Sequence, residues 1–119
     1  MTVSTPPLKE QADYAAFEAL DLRIGQIREV LPFPRARNPS YKVAIDFGPA
    51  IGVKWSSAQI TRYAPEELLG KSVVCVVNFG PRNIAGFLSE VLIMGAANAA
   101  GETVILSPES DVVQGGAIY

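Results

Sequence analysis

Over Tyr41–Phe47 the chain alternates cleanly. Tyr41, Val43, Ile45 and Phe47 fall on one side, and Lys42, Ala44 and Asp46 on the other. A period of two predicts a half-buried strand. Upstream, LDLRIGQIREVLPFP alternates at Leu22 and Ile24 and then slips by one to Ile27, a slip that a bulge at Gly25 would produce. Pro32 and Pro34 end this strand. Residues 48–52 (GPAIG) read as a turn, and Ile51 to Trp55 as a returning strand. SVVCVVNF, 72–79, is apolar at nearly every position, so both of its faces are expected to be covered. GPRN turns the chain. A second apolar run, IAGFLSEVLIMGA at 84–96, reads as one strand interrupted only at Ser89 and Glu90; NAAGE turns again and TVILS is the last clear strand.

Two short helices are predicted. Ala16, Phe17 and Leu20 lie at near-helical spacing behind Asp13, a residue suited to the N-cap. In APEELLGK, Pro65 suits the first turn, Glu66 and Glu67 suit the positive end of the helix dipole, and Gly70 suits the C-terminal cap. Residues 1–11, with Pro6-Pro7, read as a flexible N-terminal arm, and 12–119 as a single domain. Several short strands with turn signals between them indicate an all-β barrel. With the second helix between the third and fourth strands, the order is that of a five-stranded OB barrel, a fold that binds oligonucleotides on one face and in adjoining loops.

Composition narrows the function. Hydrophobic residues make up 49% of the chain and charged residues 18%, which leaves more apolar side chains than one small barrel interior needs. The surplus suits a dimer seam or a groove for a guest chain. Histidine is absent, which removes the commonest general base and the commonest metal ligand. No nucleophile is paired with a base and no glycine-rich phosphate loop is present, so neither an enzyme nor a cofactor is expected. No apolar run is long enough to span a membrane, the N-terminus lacks signal-peptide character, and Cys75 stands alone in an apolar strand; a cytoplasmic protein without membrane insertion is expected.

The formal net charge of −2 hides an uneven distribution: residues 35–62 hold five cations and one acid. Local charge steers a polyanion more than the total does. In PRARNPSYK, Arg35, Arg37 and Lys42 suit phosphate contacts. Tyr41 either offers a ring for a base to stack on or, with the parity of Val43 and Ile45, packs in the core. Ser57 and Gln59 in KWSSAQIT suit hydrogen bonds to a nucleic-acid or extended peptide backbone, or capping of the turn that follows. The only tryptophan, Trp55, is either an exposed anchor or core. Asn78 must satisfy its amide, on a binding face or as a turn cap. Phe79, Ile84, Phe87, Leu88, Val91, Leu92, Ile93 and Met94 form the apolar set assigned to the dimer seam or a peptide groove.

Five stretches in order, LDLRIGQIREV, PRARNPSYKVAIDFG, IGVKWSSAQIT, ELLGKSVVCVVNF and GFLSEVLIMGA, resemble the CsaA family of export-related chaperones, built on the OB domain that methionyl-tRNA synthetases carry for tRNA binding. The resemblance runs from about Phe17 to Tyr119. It implies an OB barrel, a homodimer, ATP-independent binding of unfolded or export-destined polypeptide, and some tRNA binding. By resemblance, Ser57, Gln59, Ile60, Asn78, Arg82 and Ser89 belong to the ligand-facing stretch, with Pro81 and Gly86 completing the family's pattern. The tRNA-binding relatives more typically show His-Pro and Asp-Lys-Leu where this chain has Phe33-Pro34 and Ser40-Tyr41-Lys42.

Overall fold

A computed structural model describes residues 5–119. Part of the expected arm, residues 1–4, lies outside them, and residues 5–13 run exposed up to helix α1, Tyr14–Glu18. Five strands build the barrel: β1 (Leu22–Pro32), β2 (Tyr41–Asp46), β3 (Val53–Ala58), β4 (Ser72–Val76) and, after the hairpin β5 (Arg82–Ile84) and β6 (Phe87–Ser89), β7 (Leu92–Ile93). Helix α2, Pro65–Leu68, sits between β3 and β4 as the sequence predicts. All pairings are antiparallel in the order β3-β2-β1-β4-β7. The N–H groups of Glu90 and Val91 then donate to the carbonyl of Trp55, which brings the far end of the sheet back to β3. The result is a nearly closed OB barrel. Strands β8 (Gly95–Ala97) and β9 (Thr103–Ile105) form a separate ribbon.

The core follows the alternation. Val43, Ile45 and Phe47 are buried with Ile27, Ala58, Leu68, Val73 and Cys75. Tyr41 packs against this core and donates its hydroxyl to the Tyr63 carbonyl, so its ring is part of the wall. Helix α2 is closed by Glu67, whose carboxylate accepts the Ala64 N–H at 2.7 Å.

Three expectations are corrected. The slip in β1 lies between Ile27 and Glu29, not at Gly25. Gly25 is required for a different reason: a Cβ there would lie 2.7 Å from Phe47 Cε1 and overlap Ile45 Cγ2. The strand after the GPAIG turn begins at Val53, because Gly48–Gly52 closes on itself with the Gly52 N–H donating to the Gly48 carbonyl. The apolar run 84–96 is not one strand. It turns at Ala85-Gly86, both at positive φ (49° and 85°), where Asn83 Oδ1 accepts the Gly86 N–H. The left-handed pair makes the tight turn that reverses the chain from β5 into β6.

Cys75 is fully buried, and burial pushes its thiol from 9.0 up to about 12. In the folded protein the thiol keeps its proton up to about pH 12, whereas in the unfolded chain it loses it near 9. The unfolded state therefore binds fewer protons across that interval. The Cys75 contribution to stability is constant below about pH 9 and falls above it, by up to ~1.4 kcal/mol per pH unit. Thermal melts from pH 8 to 10.5 should show this fall in the native protein and a smaller one in Cys75→Ala.

Candidate binding groove

The outward face of β2 and β3 is set by the same alternation that builds the core. Lys42 pairs with Ser57 and Ala44 with Trp55, so these side chains share the face turned away from Val43 and Ile45. Leu31 of β1 lies opposite Lys42 and joins them. The β5–β6 hairpin folds over this face. Phe87 meets Trp55 edge-on at 6.1 Å between ring centroids and Phe33 edge-on at 5.4 Å. Lys42 Nζ lies 5.0 Å from the centroid of Phe33 and 5.1 Å from that of Phe87.

Three hollows follow the line between hairpin and barrel. One, of about 280 Å³, is bordered by Phe33, Pro34, Arg35, Lys42 and Phe87. The next, about 490 Å³, is bordered by Leu31, Lys42, Trp55, Phe87, Leu88 and Glu90. The third, about 120 Å³, takes in Ser57, Phe79, Arg82, Ser89 and Leu92. Phe87 and Lys42 belong to the first two, and Glu90 to the last two, so they adjoin as a groove. Lys54 Nζ approaches Glu90 Oε2 at 3.8 Å; both are substantially exposed, and such a pair contributes little stability.

The residues singled out in the sequence divide as follows. Arg35, Lys42, Trp55, Ser57, Phe79, Arg82, Phe87, Leu88, Ser89 and Leu92 border the groove. Ser89 also accepts the Ser57 N–H through its hydroxyl at 2.9 Å, tying β6 to β3. Val91 borders the third hollow but is 4% exposed and belongs to the core, as does Ile60. Arg37 and Gln59 are exposed and border none of the three hollows. Met94 lies away from the groove, with its backbone bonded to Val74 and Leu106. Asn78 is engaged by the chain itself: Oδ1 accepts the Asp21 N–H and Nδ2 donates to the Ala19 carbonyl. Its amide fastens the segment after α1 to the end of β4. Asn78→Ala is expected to speed proteolytic cleavage between Asp13 and Leu20 by several-fold while shifting the melting temperature only slightly, which limited proteolysis beside a thermal melt will read.

Phe33, Leu31 and Glu90 were not assigned to the site from the sequence. Glu90 had a signal, as an acid interrupting an apolar run; Phe33 had one as an aromatic between two prolines. Leu31 had none, because its exposure depends on the register of β1 against β2.

The family model described as "Putative tRNA binding domain" matches residues 22–117. The chain belongs to this family. Among curated relatives, the tRNA-binding domain found here is 33% identical over 110 residues to the methionine–tRNA ligase of Parabacteroides distasonis, covering 92% of this chain and 16% of that enzyme. The chain thus spans about one sixth of the length of the curated relatives it matches. Two solved structures are similar over 92% of this chain and all of their own: the chaperone CsaA of Bacillus anthracis (46% identity, TM-score 0.86) and that of Picrophilus torridus (44%, 0.87).

Proposed function

We propose that this tRNA-binding-domain protein binds unfolded or export-destined polypeptide without ATP, as a cytoplasmic homodimeric chaperone of the CsaA kind. The observation that carries this reading is the groove between barrel and hairpin. It gathers Trp55, Phe87 and the exposed Leu88 and Leu31 around one hollow, and extended apolar chain needs such a surface. Two of the structures similar to this chain over their whole length, at 46% and 44% identity, are named as CsaA chaperones, whereas the curated ligases share only this domain.

A second copy fits a different surface. Helix α1 buries none of its residues, and the exposed Tyr14 and Phe17 lie with their ring centroids 6.0 Å apart. Leu20, Val112 and Val113 are exposed too. Exposed apolar side chains of this kind suit a dimer seam. The role is binding, with no cofactor.

The test is suppression of aggregation of a chemically unfolded protein diluted into buffer with a several-fold excess of this chain. Suppression that persists at high salt is expected. None at that excess defeats the proposal. The second reading, tRNA binding, is favoured by the family match and by Arg35, Arg37 and Arg82, all exposed. A salt-sensitive gel shift of tRNA that Arg35→Ala with Arg37→Ala abolishes would support it, and no shift at low salt would exclude it.

A further inference from the structure

Resting on the polypeptide-binding reading, we propose that the groove selects guest segments that place a carboxylate beside a bulky apolar side chain, and that Lys42 is the residue that reads the carboxylate. The ammonium of Lys42 lies over both the Phe33 and Phe87 rings, 5.0 and 5.1 Å from their centres, which are 5.4 Å apart. Ring faces attract a cation without cancelling its charge. None of the ion pairs among the described residues uses Lys42. The two rings favour this placement of the side chain before any ligand arrives, which lowers the rotamer freedom to be lost on binding. A cationic guest side chain drawn to the same two rings would have to displace it.

The surroundings point the same way. The hollow on the Phe33 side of Phe87 is bordered by Arg35 and Lys42 and by no acid. The hollow on the Trp55 side is apolar at Leu31, Trp55 and Leu88. Its one acid, Glu90, already has a cation in Lys54 and would repel a guest carboxylate placed deeper in the groove. Lys42 borders both hollows, so Arg35 at one end and Glu90 at the other set the direction, with the carboxylate towards Arg35 and the apolar group towards Trp55. Side chains on one face of an extended peptide repeat every ~6.6–7 Å, so residues two apart can enter the two hollows on either side of Phe87.

Trp55 is the sole tryptophan and borders the apolar hollow, so its fluorescence reports occupancy directly. Three extended peptides should be titrated that are identical except for Glu, Gln or Lys two residues from a leucine. The Glu peptide is expected to bind roughly fivefold more tightly than the Gln peptide, and the Lys peptide less tightly than either. The Glu-to-Gln ratio should fall towards one in Lys42→Gln, and also in the native protein at raised salt. Arg35→Gln, on an exposed loop, should reduce the ratio by a smaller factor and serves if the Lys42 variant does not fold. Equal affinities for the three peptides, or tightest binding of the Lys peptide, would overturn the selectivity and leave polypeptide binding standing. If no peptide perturbs Trp55 while tRNA does, both the selectivity and the polypeptide reading fall.

Discussion

Gly25→Ala is expected to cost about 3 kcal/mol or more of folding stability, a large share of what a domain of this size holds. The position lies in β1 where the Ile45 and Phe47 side chains press against the backbone. An added Cβ would overlap Ile45 Cγ2 and stand 2.7 and 2.8 Å from two carbons of the Phe47 ring. Ile45 and Phe47 are themselves 0% and 1% exposed, so neither has room to withdraw. The strain must pass into the β1–β2 pairing that carries the binding face. Urea unfolding measures it directly, with Gly80→Ala as the comparison: nothing lies within 4 Å of a Cβ at Gly80, and a change within ~0.5 kcal/mol is expected there. A Gly25→Ala protein as stable as the parent would show that the packing around β1 is misassigned.

Phe87→Ala is expected to weaken binding of unfolded polypeptide by about thirtyfold, equivalent to ~2 kcal/mol. The Phe87 ring borders two of the three hollows. Its ring separates the first two hollows, meets both Phe33 and Trp55 edge-on, and forms one wall of the Lys42 cradle. Removing it merges the hollows and frees the lysine, so guest contacts and pre-organisation are lost together. The ring is only half-buried, so the accompanying loss of stability should be smaller, about 1–2 kcal/mol. Affinity from Trp55 fluorescence and stability from urea unfolding separate the two effects. An affinity within twofold of the parent would place the guest elsewhere on the molecule.

The barrel was legible where local pattern and tertiary demand agree. In β2 the alternation that buries Val43 and Ile45 also turns Lys42 outwards, so one stretch foretold both core and site. Helix α2 was legible because Pro65, two glutamates and Gly70 all mark the same short element. The hairpin that roofs the groove was not. Its turn carries Ala85 at φ 49° where Asn-Gly would have announced a reversal, and the apolar residues on both sides mimic one long strand. Gly25 signalled something special, but the sequence could not separate a bulge from a close approach, since both call for a residue without a side chain. The C-terminal segment was also invisible. Its Gly115, Gly116 and Ile118 bond to Ile24 and Leu22 of β1 through the backbone alone, with no apolar period to mark a strand. For the candidate site, composition supplied the cations and apolar residues, while the fold decided which of them meet: Arg35, Lys42 and Phe87 converge, whereas Met94 borders none of the three hollows and the Asn78 amide bonds to Asp21 and Ala19.

On the proposed function, the face of β2 and β3 beneath the β5–β6 hairpin receives an extended polypeptide. Mapping backbone amide shifts on the isotope-labelled chain during titration with an unfolded apolar peptide, and separately with tRNA, tests it most directly. Peptide shifts are expected to concentrate at Lys42, at Lys54–Ser57 and at Arg82–Glu90, and to leave the β8–β9 ribbon unmoved. Peptide shifts confined to helix α1 and the C-terminal segment, or a response to tRNA alone, would contradict it.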